Sequence, residues 1–455
     1  MPDPRSRIQK LIQDSHTVEA LDEGLREITR LGVQLPPAEN RKSWEALIEG
    51  AVLRIADRMA DMPVDALADL PTMKDPRAIA ELSLLAVIAP VASHHPHINA
   101  WCRTRMLELC LVHGNGPHAA LAYVWHGALC AEGGDPRMGQ TLADAATALA
   151  AQQGDAGQSA MLLSLRSALI DHWLKPLGEV MEQLDEAAEL ALAAGHPEYA
   201  GWSVNHAAYA LLYSGAPLDQ VHRRIRTALG TLDPASPNLV SEDALLVAEH
   251  TVESLLGEDT VNSGREIARR RARMDAHPVT FVFTRTPQLI LARLLAAAPE
   301  VDLQLEAIAP FRSATAGFFC EGEIALAEGL ALADRFEGAD SVRREAIADK
   351  LMRIAERSRL WSLHAPQTHA PRAHLLESER IQISGHDPRG SYRAAARAAA
   401  HCGNLHHEAL AWERSVGFSK GRGHDREARR RLDRAIDAYR RWGAVAKVEA
   451  LSAAG

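Results

Sequence analysis

Apolar residues recur along this chain at the spacing of amphipathic helices. Between clusters of glycine and proline lie segments of roughly 14–20 residues in which alanine and leucine occupy positions i, i+3, i+4 and i+7. This periodicity differs from the alternation that marks strands. It predicts roughly 18–20 helices joined by short loops, and short loops make successive helices antiparallel.

Proline and glycine mark where these helices begin and end. Pro136 and Pro197 are predicted to lie in first helical turns, where the missing N–H of proline costs no hydrogen bond. Gly195 and Gly215 are predicted to follow the last turns, because glycine readily adopts the left-handed conformation that ends a helix.

The C-terminal quarter contains an internal repeat. The tripeptide Gly-His-Asp at 385–387 recurs at 423–425, about 38 residues later, and such a helix-turn-helix period is typical of tetratricopeptide (TPR) repeats. The strict TPR consensus is absent, so we describe the units as TPR-like. The helices predicted on either side of the two tripeptides are Arg372–Ser384, Arg389–His401, Leu405–Lys420 and Arg426–Trp442.

The predicted fold is therefore all-α, a single TPR-like α-solenoid of helical hairpins through residues 1–455. Stacked hairpins form a superhelix with a concave groove, and abundant alanine lets neighbouring helices approach closely. We expect three parts, namely N-terminal hairpins in 1–110, central helical repeats in 111–360 and C-terminal TPR-like repeats in 361–455.

Composition narrows the class of protein. The chain is 47% hydrophobic and 24% charged, which is too apolar for disorder and too charged for a membrane bundle. The net charge of −9 disfavours nucleic acid as a partner. The five cysteines form no CxxC pair, as in reduced cytoplasmic proteins. We predict a cytoplasmic protein without a membrane partner, and a homodimer stays open.

Motifs for the common enzyme classes are missing. There is no P-loop, dinucleotide-binding, metalloprotease, nucleophile-elbow or protein-kinase motif, so we predict no cofactor. The 21 histidines include runs at 94–97 and 364–374, but these runs lack cysteines or paired carboxylates at ligand spacing. The sequence therefore predicts no metal site, and it leans away from an enzyme without excluding one.

One predicted helix carries a stripe of rings and polar groups at spacings of three and four residues, which places them on one face. With a polar neighbour, the stripe comprises Tyr199, Trp202, Asn205, His206, Tyr209 and Tyr213. Two interpretations stand. The face is either a core seam against the next hairpin or the wall of a groove for a flat, polar ligand, since tyrosine and tryptophan combine apolar area with a hydrogen-bonding tip.

A second aromatic and histidine group is a further candidate binding wall. It consists of Tyr123, His126, His172 and Trp173. Because Asp171 precedes His172, that histidine could act as a base, but a satisfied pair in the core has the same sequence.

Several stretches together resemble a known family. They are LREITRLGVQLPP (Leu25–Pro37), HGNGP with AALAYVWHGALC and GGDPRMG after it, DHWLKPLGEVMEQLDEAAELALAAGHPEYAGWSVNHAAYALLYSGAPL (Asp171–Leu218) and AIDAYRRWGAVAKVEAL (Ala435–Leu451). They resemble the TPR-like helical region of large bacterial signalling proteins, which follows a serine/threonine kinase and an AAA/STAND-type ATPase and precedes a GAF domain and a sensor histidine kinase. The region is also similar in kind to the repeat domain of maltose-regulator-type transcription activators.

The resemblance extends from about Leu11 to Leu451, but this sequence contains no kinase, ATPase, GAF or histidine kinase domain. No phosphate-binding or phospho-acceptor residue can therefore be carried over. The resemblance implies a sensory or scaffold solenoid, either part of such a protein or standing alone.

The predicted function is an intracellular signalling or scaffold module that binds a protein, peptide or small effector in its groove. Trp202, Asn205, His206 and Tyr209 are the foremost groove candidates. The alternative is an enzyme, for example a biosynthetic one, that uses a histidine- and aromatic-lined cavity. A third interpretation, a STAND-derived sensor of a specific metabolite, differs from the first only in the class of ligand.

Overall fold

Helices form nearly all of the structure. The computed structural model describes residues 4–13, 16–60, 62–92, 95–232, 238–276, 278–295, 298–315, 317–421 and 423–454. These residues contain 22 α-helices and no β-strand, which confirms the all-α prediction. No helix among them combines the length and apolar character needed to cross a bilayer.

The chain divides into two compact units. Unit 1 is Met1–Ile170 and unit 2 is Asp171–Gly455, so the boundary falls inside the predicted central segment 111–360. The helices of unit 1 are α1 Pro4–Gln13, α2 Thr17–Arg30, α3 Arg41–Met59, α4 Pro76–Val91, α5 Pro96–His113, α6 Ala119–Glu132, α7 Pro136–Gln153 and α8 Ala156–Leu169.

Antiparallel neighbours in unit 1 pack closely where the chain has glycine. Helices α6 and α7 cross at Gly127 and Gly139, and a Cβ at either position would overlap the carbonyl oxygen of the other. The side chain of Asp135 accepts a hydrogen bond from the N–H of Met138, and Pro136 occupies the first turn of α7 as predicted.

Unit 2 contains the remaining helices and two short 3₁₀ segments, Asp171–Trp173 and Ala309–Thr315. The helices are α9 Leu177–Ala193, α10 Pro197–Tyr213, α11 Leu218–Thr231, α12 Leu239–Leu256, α13 Val261–Ala276, α14 Pro278–Leu295, α15 Ala298–Ile308, α16 Cys320–Phe336, α17 Ser341–His364, α18 Pro366–Ile383, α19 Arg389–His401, α20 Leu405–Gly421, α21 Asp425–Trp442 and α22 Val445–Ala454.

The helices of unit 2 form a row of hairpins. The even-numbered helices from α10 to α20 contact one another in succession, and each of them also packs on an odd-numbered neighbour. The last helix, α22, packs on α12 and α14. A core of large apolar side chains, including Tyr209, Phe283 and Trp442, joins α10, α12, α14, α20 and α21.

A glycine permits one close approach between distant turns of unit 2. Gly215 has φ +73°, and a Cβ there would overlap the side-chain amide of Asn404. The N–H of Leu405 donates to the carbonyl of Gly215 at 3.3 Å, so the start of α20 is tied to the end of α10. Any larger residue at 215 would therefore both strain the turn and separate these two helices.

The C-terminal helices match the sequence prediction closely. Helix α19 has the predicted bounds, and α20 and α21 each differ from prediction by one residue. Helix α18 begins at Pro366, six residues before the predicted start, and contains Pro371. The prediction placed the start after Pro371, whereas the helix continues through it without that one N–H.

Candidate functional site

The aromatic stripe lies on α10, and its C-terminal half faces the interior of unit 2. Tyr209 and Tyr213 are buried. The hydroxyl of Tyr209 lies 2.9 Å from the carbonyl oxygen of Ala244 and 3.0 Å from that of Phe283, so it bonds to both α12 and α14. These contacts are those of a core seam, one of the two interpretations of the stripe.

The N-terminal half of the stripe is more open. Tyr199 and Trp202 are half-buried, and the indole of Trp202 stacks on the imidazole of His206 with ring centres 5.7 Å apart. Burial lowers the pKa of His206 to about 3, so this histidine is neutral. Asn205 is fully buried, and neither atom of its amide has a hydrogen-bond partner among the residues that the structure describes. Only Tyr199 and Trp202 therefore expose part of their rings.

The second predicted group is divided between the two units. Tyr123 and His126 are buried in unit 1, where the Tyr123 hydroxyl donates to the side chain of Asn115 and burial lowers the pKa of His126 to about 4. His172 and Trp173 belong to unit 2. The four residues therefore do not belong to one unit.

His172 and Trp173 occupy the interior of unit 2. Nε2 of His172 lies 2.7 Å from the carbonyl oxygen of Gly317, and burial lowers the pKa of this histidine to about 4. Trp173 stacks on His369, from the 364–374 histidine run, with ring centres 5.3 Å apart. In the other run, His94 lies outside the described residues and Nε2 of His97 lies 2.9 Å from the carbonyl oxygen of Ala38.

Unit 2 also has a cleft that the sequence analysis did not predict. Its volume is about 460 Å³, and its walls are α14, α15 and α16 on one side and α18 and α20 on the other. The lining is partly apolar, from residues such as Leu330, Leu410 and Phe418. The charged residues at its walls are Arg293, Asp302, Asp334, Arg335, Glu413 and Arg414.

Most of these charges are paired with one another or with neighbours. Arg414 donates two hydrogen bonds of 2.8 Å to Glu379 and a third to Asp334. Arg335 forms a single ion pair with Asp302. The bidentate pair of Arg414 with Glu379 fixes the orientation of both side chains, so this part of the cleft wall is preformed.

Arg293 differs from the other charged residues of the cleft. Its side chain is only 7% exposed, and its Nη2 donates to Nε2 of His406 at 2.6 Å. Its Nε and Nη1 are covered from solvent and have no hydrogen-bond partner in the part of the chain that the structure describes. Burial lowers the pKa of Arg293, although Glu323 opposes that effect.

A buried ionic cluster lies next to Arg293. Nε and Nη2 of Arg372 donate to Oε1 of Glu323 at 2.9 and 2.8 Å, and Nε2 of His407 lies 3.1 Å from the same oxygen. Oε2 of Glu323 lies 3.7 Å from Nη2 of Arg293. Burial raises the pKa of Glu323, but Arg372, His407 and Arg293 outweigh it and hold that pKa well below its usual range.

Two groups in unit 2 place three potential metal ligands within 4.8 Å of one another. The first, Glu323 with His406 and His407, lies against two guanidinium groups, and these oppose the binding of a cation. The second consists of His222 of α11 with Glu249 and Glu253 of α12. Nε2 of His222 lies 3.8 and 4.0 Å from the two carboxylates, and Arg226 already lies 3.5 Å from Glu249.

Sequence reasoning missed the cleft because its charged residues have no common spacing. Arg293, Asp302 and Arg414 come from three different helices, and no local pattern in the sequence links them. The repeat period predicted the hairpins, but it carried no information on which side chains face the cleft.

Comparison with known proteins does not assign this chain to a family. The chain matches no protein-family model, and no curated protein matches it. The resemblance to the helical region of bacterial signalling proteins therefore remains an expectation from the sequence.

Proposed function

We propose that the protein is a cytoplasmic TPR-like solenoid module of the signalling or scaffold type, and that the cleft of unit 2 is its ligand site. The ligand would be a segment of a protein partner or a small effector. The proposal is supported by the succession of hairpins from α10 to α20, which is the arrangement expected of stacked helical repeats.

The observation that carries the proposal is the preformed cleft with mixed walls. Its volume of about 460 Å³ lies in the range of ligand pockets, which combine mainly apolar walls with a few polar groups. Asp334 of α16 and Arg414 of α20 form an ion pair that joins the two walls. An interaction module needs this kind of ready-made concave surface, because ordering a site on binding costs affinity.

The position of the cleft also suits signal transmission. A ligand there would touch α15 and α16 on one wall and α20 on the other, so it would favour one spacing of these helices over another. Coupling of this kind requires only that the ligand binds the two spacings with different affinity.

The enzyme alternative has weaker support. None of the described residues that line the cleft is a histidine, and His406 and His407 are buried behind it. A general acid or base must lie within hydrogen-bond reach of its substrate, and these imidazoles have no access to the cleft. The described lining thus lacks the histidines on which the enzyme alternative rests, and we propose binding as the role of the cleft.

Filling the cleft tests the proposal. Gly417 lies in the C-terminal third of α20 at the cleft wall, and a Cβ there would meet no atom within 4 Å, so Gly417→Trp should fold and fill the space. Gly178 of α9 is equally open and lies outside the cleft, so Gly178→Trp is the matched control. Phage-displayed random dodecapeptides and a library of purified metabolites are the probes.

We expect at least one probe to bind the wild type and the Gly178→Trp protein with the same affinity and to bind Gly417→Trp at least tenfold more weakly. Isothermal titration calorimetry measures this difference. Equal binding to Gly417→Trp would place the site elsewhere, and a wild type that binds no member of either library would contradict the proposed function.

A further inference from the structure

We infer that the cleft of unit 2 binds an organic monocarboxylate with an apolar body, and that Arg293 binds its carboxylate group. The inference rests on the proposed function of the same cleft and names the chemical class of its ligand. It starts from Nε and Nη1 of Arg293, two buried donors that have no hydrogen-bond partner among the described residues.

A buried guanidinium with unmet donors is an unfavourable arrangement. The side chain of Arg293 is more than nine-tenths buried, and of its three nitrogens only Nη2 has a partner, His406, among the described residues. Buried donors are normally satisfied, since leaving them without a partner forfeits the hydrogen bonds they make in water. An oxyanion that enters from the cleft would supply the missing acceptors and a charge-assisted bond.

The charges around Arg293 leave room for one negative charge. Lys447 pairs with Glu413 at 2.7 Å, and Arg372 pairs with Glu323. Burial lowers the pKa values of His406 and His407, so neither imidazole adds a charge near neutral pH. Among Arg293, Arg372, Lys447, Glu323 and Glu413, three cationic side chains thus face two carboxylates, and Arg293 has only a 3.7 Å contact with Glu323.

One surplus charge matches a monoanion. A phosphate monoester carries about −1.5 to −2 charges at neutral pH and would bring an excess of negative charge beside Asp302 and Asp334 of the cleft. A metal cation would meet the guanidinium groups of Arg293 and Arg372. A carboxylate carries one negative charge, which balances the one surplus positive charge of this group without adding an excess of negative charge.

The rest of the lining suits an apolar body. Leu330, Leu410 and Phe418 line the cleft, whereas Arg335 and Arg414 are committed to carboxylates. A peptide would need partners for its backbone N–H and C=O groups, and such walls offer few. A small acid with a hydrocarbon chain needs only apolar contact beyond its carboxylate, so we assign the ligand to that class.

Binding includes a movement of Arg293. Because its Nε and Nη1 are covered from solvent, the side chain must turn toward the cleft as the carboxylate enters. The single bond from Nη2 to His406 is the contact that this turn would release. Glu323 keeps its ion pair with Arg372 and its contact with His407, so the charge of this carboxylate stays balanced when Arg293 moves.

The test compares three probes of equal chain length, namely octanoate, octanamide and octyl phosphate. We expect calorimetry to show octanoate binding to the wild type at least tenfold more tightly than the uncharged amide or the phosphate. Arg293→Met keeps the length of the side chain and removes the charge, and it should weaken octanoate binding at least tenfold. The control is Arg223→Met, at an exposed arginine of α11 outside the cleft, and should change binding less than twofold.

Other outcomes would overturn the inference. Octanamide binding as tightly as octanoate, full octanoate binding by Arg293→Met, or no binding of any probe to the wild type each excludes the carboxylate assignment. If a peptide with a free C-terminal leucine binds and octanoate does not, the ligand is a peptide C-terminus, and the inference is likewise overturned.

Two readouts keep the failures separate. If Gly417→Trp blocks another ligand while octanoate never binds, the proposed function stands and the carboxylate assignment fails. If octanoate binds Gly417→Trp as tightly as the wild type, the cleft is not the binding site. Far-ultraviolet circular dichroism and the thermal midpoint check the fold of Arg293→Met. If Arg293→Met does not fold, Arg293→Lys replaces it, because lysine keeps the charge but loses the planar guanidinium. Arg293→Lys should also weaken octanoate binding at least tenfold.

Discussion

Acidification from pH 7.5 to 5.5 should sharply destabilise unit 2. Among its described residues, five histidines are buried, namely His172, His206, His369, His406 and His407. Burial lowers the pKa of each of them, to about 4 for His172 and His407, to about 3 for His206 and well below 6.5 for the other two. The native state therefore keeps them neutral over this pH range.

The sign and size of the effect follow from proton linkage. An unfolded chain has its histidines near the ordinary pKa of 6.5, so it takes up protons as the pH falls below 6.5 while the native state does not. Stability is thus complete above pH 6.5 and is lost between 6.5 and about 4. One pH unit below 6.5 costs about 1.4 kcal/mol for each histidine, or about 7 kcal/mol for the five. Domains are commonly stable by about 5–15 kcal/mol, so the loss is a large part of the total.

Hydrogen–deuterium exchange read by mass spectrometry can follow unit 2 by itself, from peptides of α10 and α20. The free energy of opening of these peptides should fall by several kcal/mol between pH 7.5 and 5.5. His206→Leu should reduce that fall by about 1.4 kcal/mol, because one titrating group is removed. His386→Gln, at an exposed position, should leave it unchanged. A fall of less than about 2 kcal/mol in the wild type would refute the reasoning.

Two substitutions test the packing of unit 2 by urea unfolding. Tyr209→Phe removes the hydroxyl that reaches two backbone carbonyls and should cost about 1–2 kcal/mol, whereas an unchanged midpoint would mean that these bonds contribute nothing. Gly329→Ala should cost about 1–3 kcal/mol because a Cβ there would overlap Leu376, while Gly417→Ala, in open space on α20, should stabilise by up to about 1 kcal/mol. Effects of the same sign at the two glycines would contradict this contrast.

Much of the helical fold could be predicted because helix boundaries are local. Pro136 begins α7 and glycines such as Gly195 and Gly215 have positive φ, as the sequence indicated. The predicted start of α18 was wrong because two prolines compete for it. Both Pro366 and Pro371 could begin a helix, and the choice between them depends on packing that no local rule contains.

The site was harder to predict because periodicity does not tell a core face from a groove face. Tyr209 and Tyr213 recur at the spacing that either role requires. They lie in the interior because Phe283 of α14 packs on Tyr209 and Phe319, in the turn before α16, packs on Tyr213, with ring centres 5.5 and 6.0 Å apart. No sequence pattern pointed to Arg293, because its two donors lack partners only when the helices packed around it contribute no acceptor.

The buried polar groups of unit 2 explain how alanine-rich helices find one arrangement. Alanine faces are smooth, so apolar contact alone distinguishes poorly between neighbouring registers of two helices. Arg372 of α18 bonds to Glu323 of α16 and to the carbonyl of Tyr213 at the end of α10, and Asn404 donates to that same carbonyl. A shift of any of these helices by one turn would leave a buried charge or carbonyl without a partner, at a cost that the lost alanine contacts do not approach. The same network holds Glu323 beside Arg293, so the residues that fix the helix register also set the charge of the proposed ligand site.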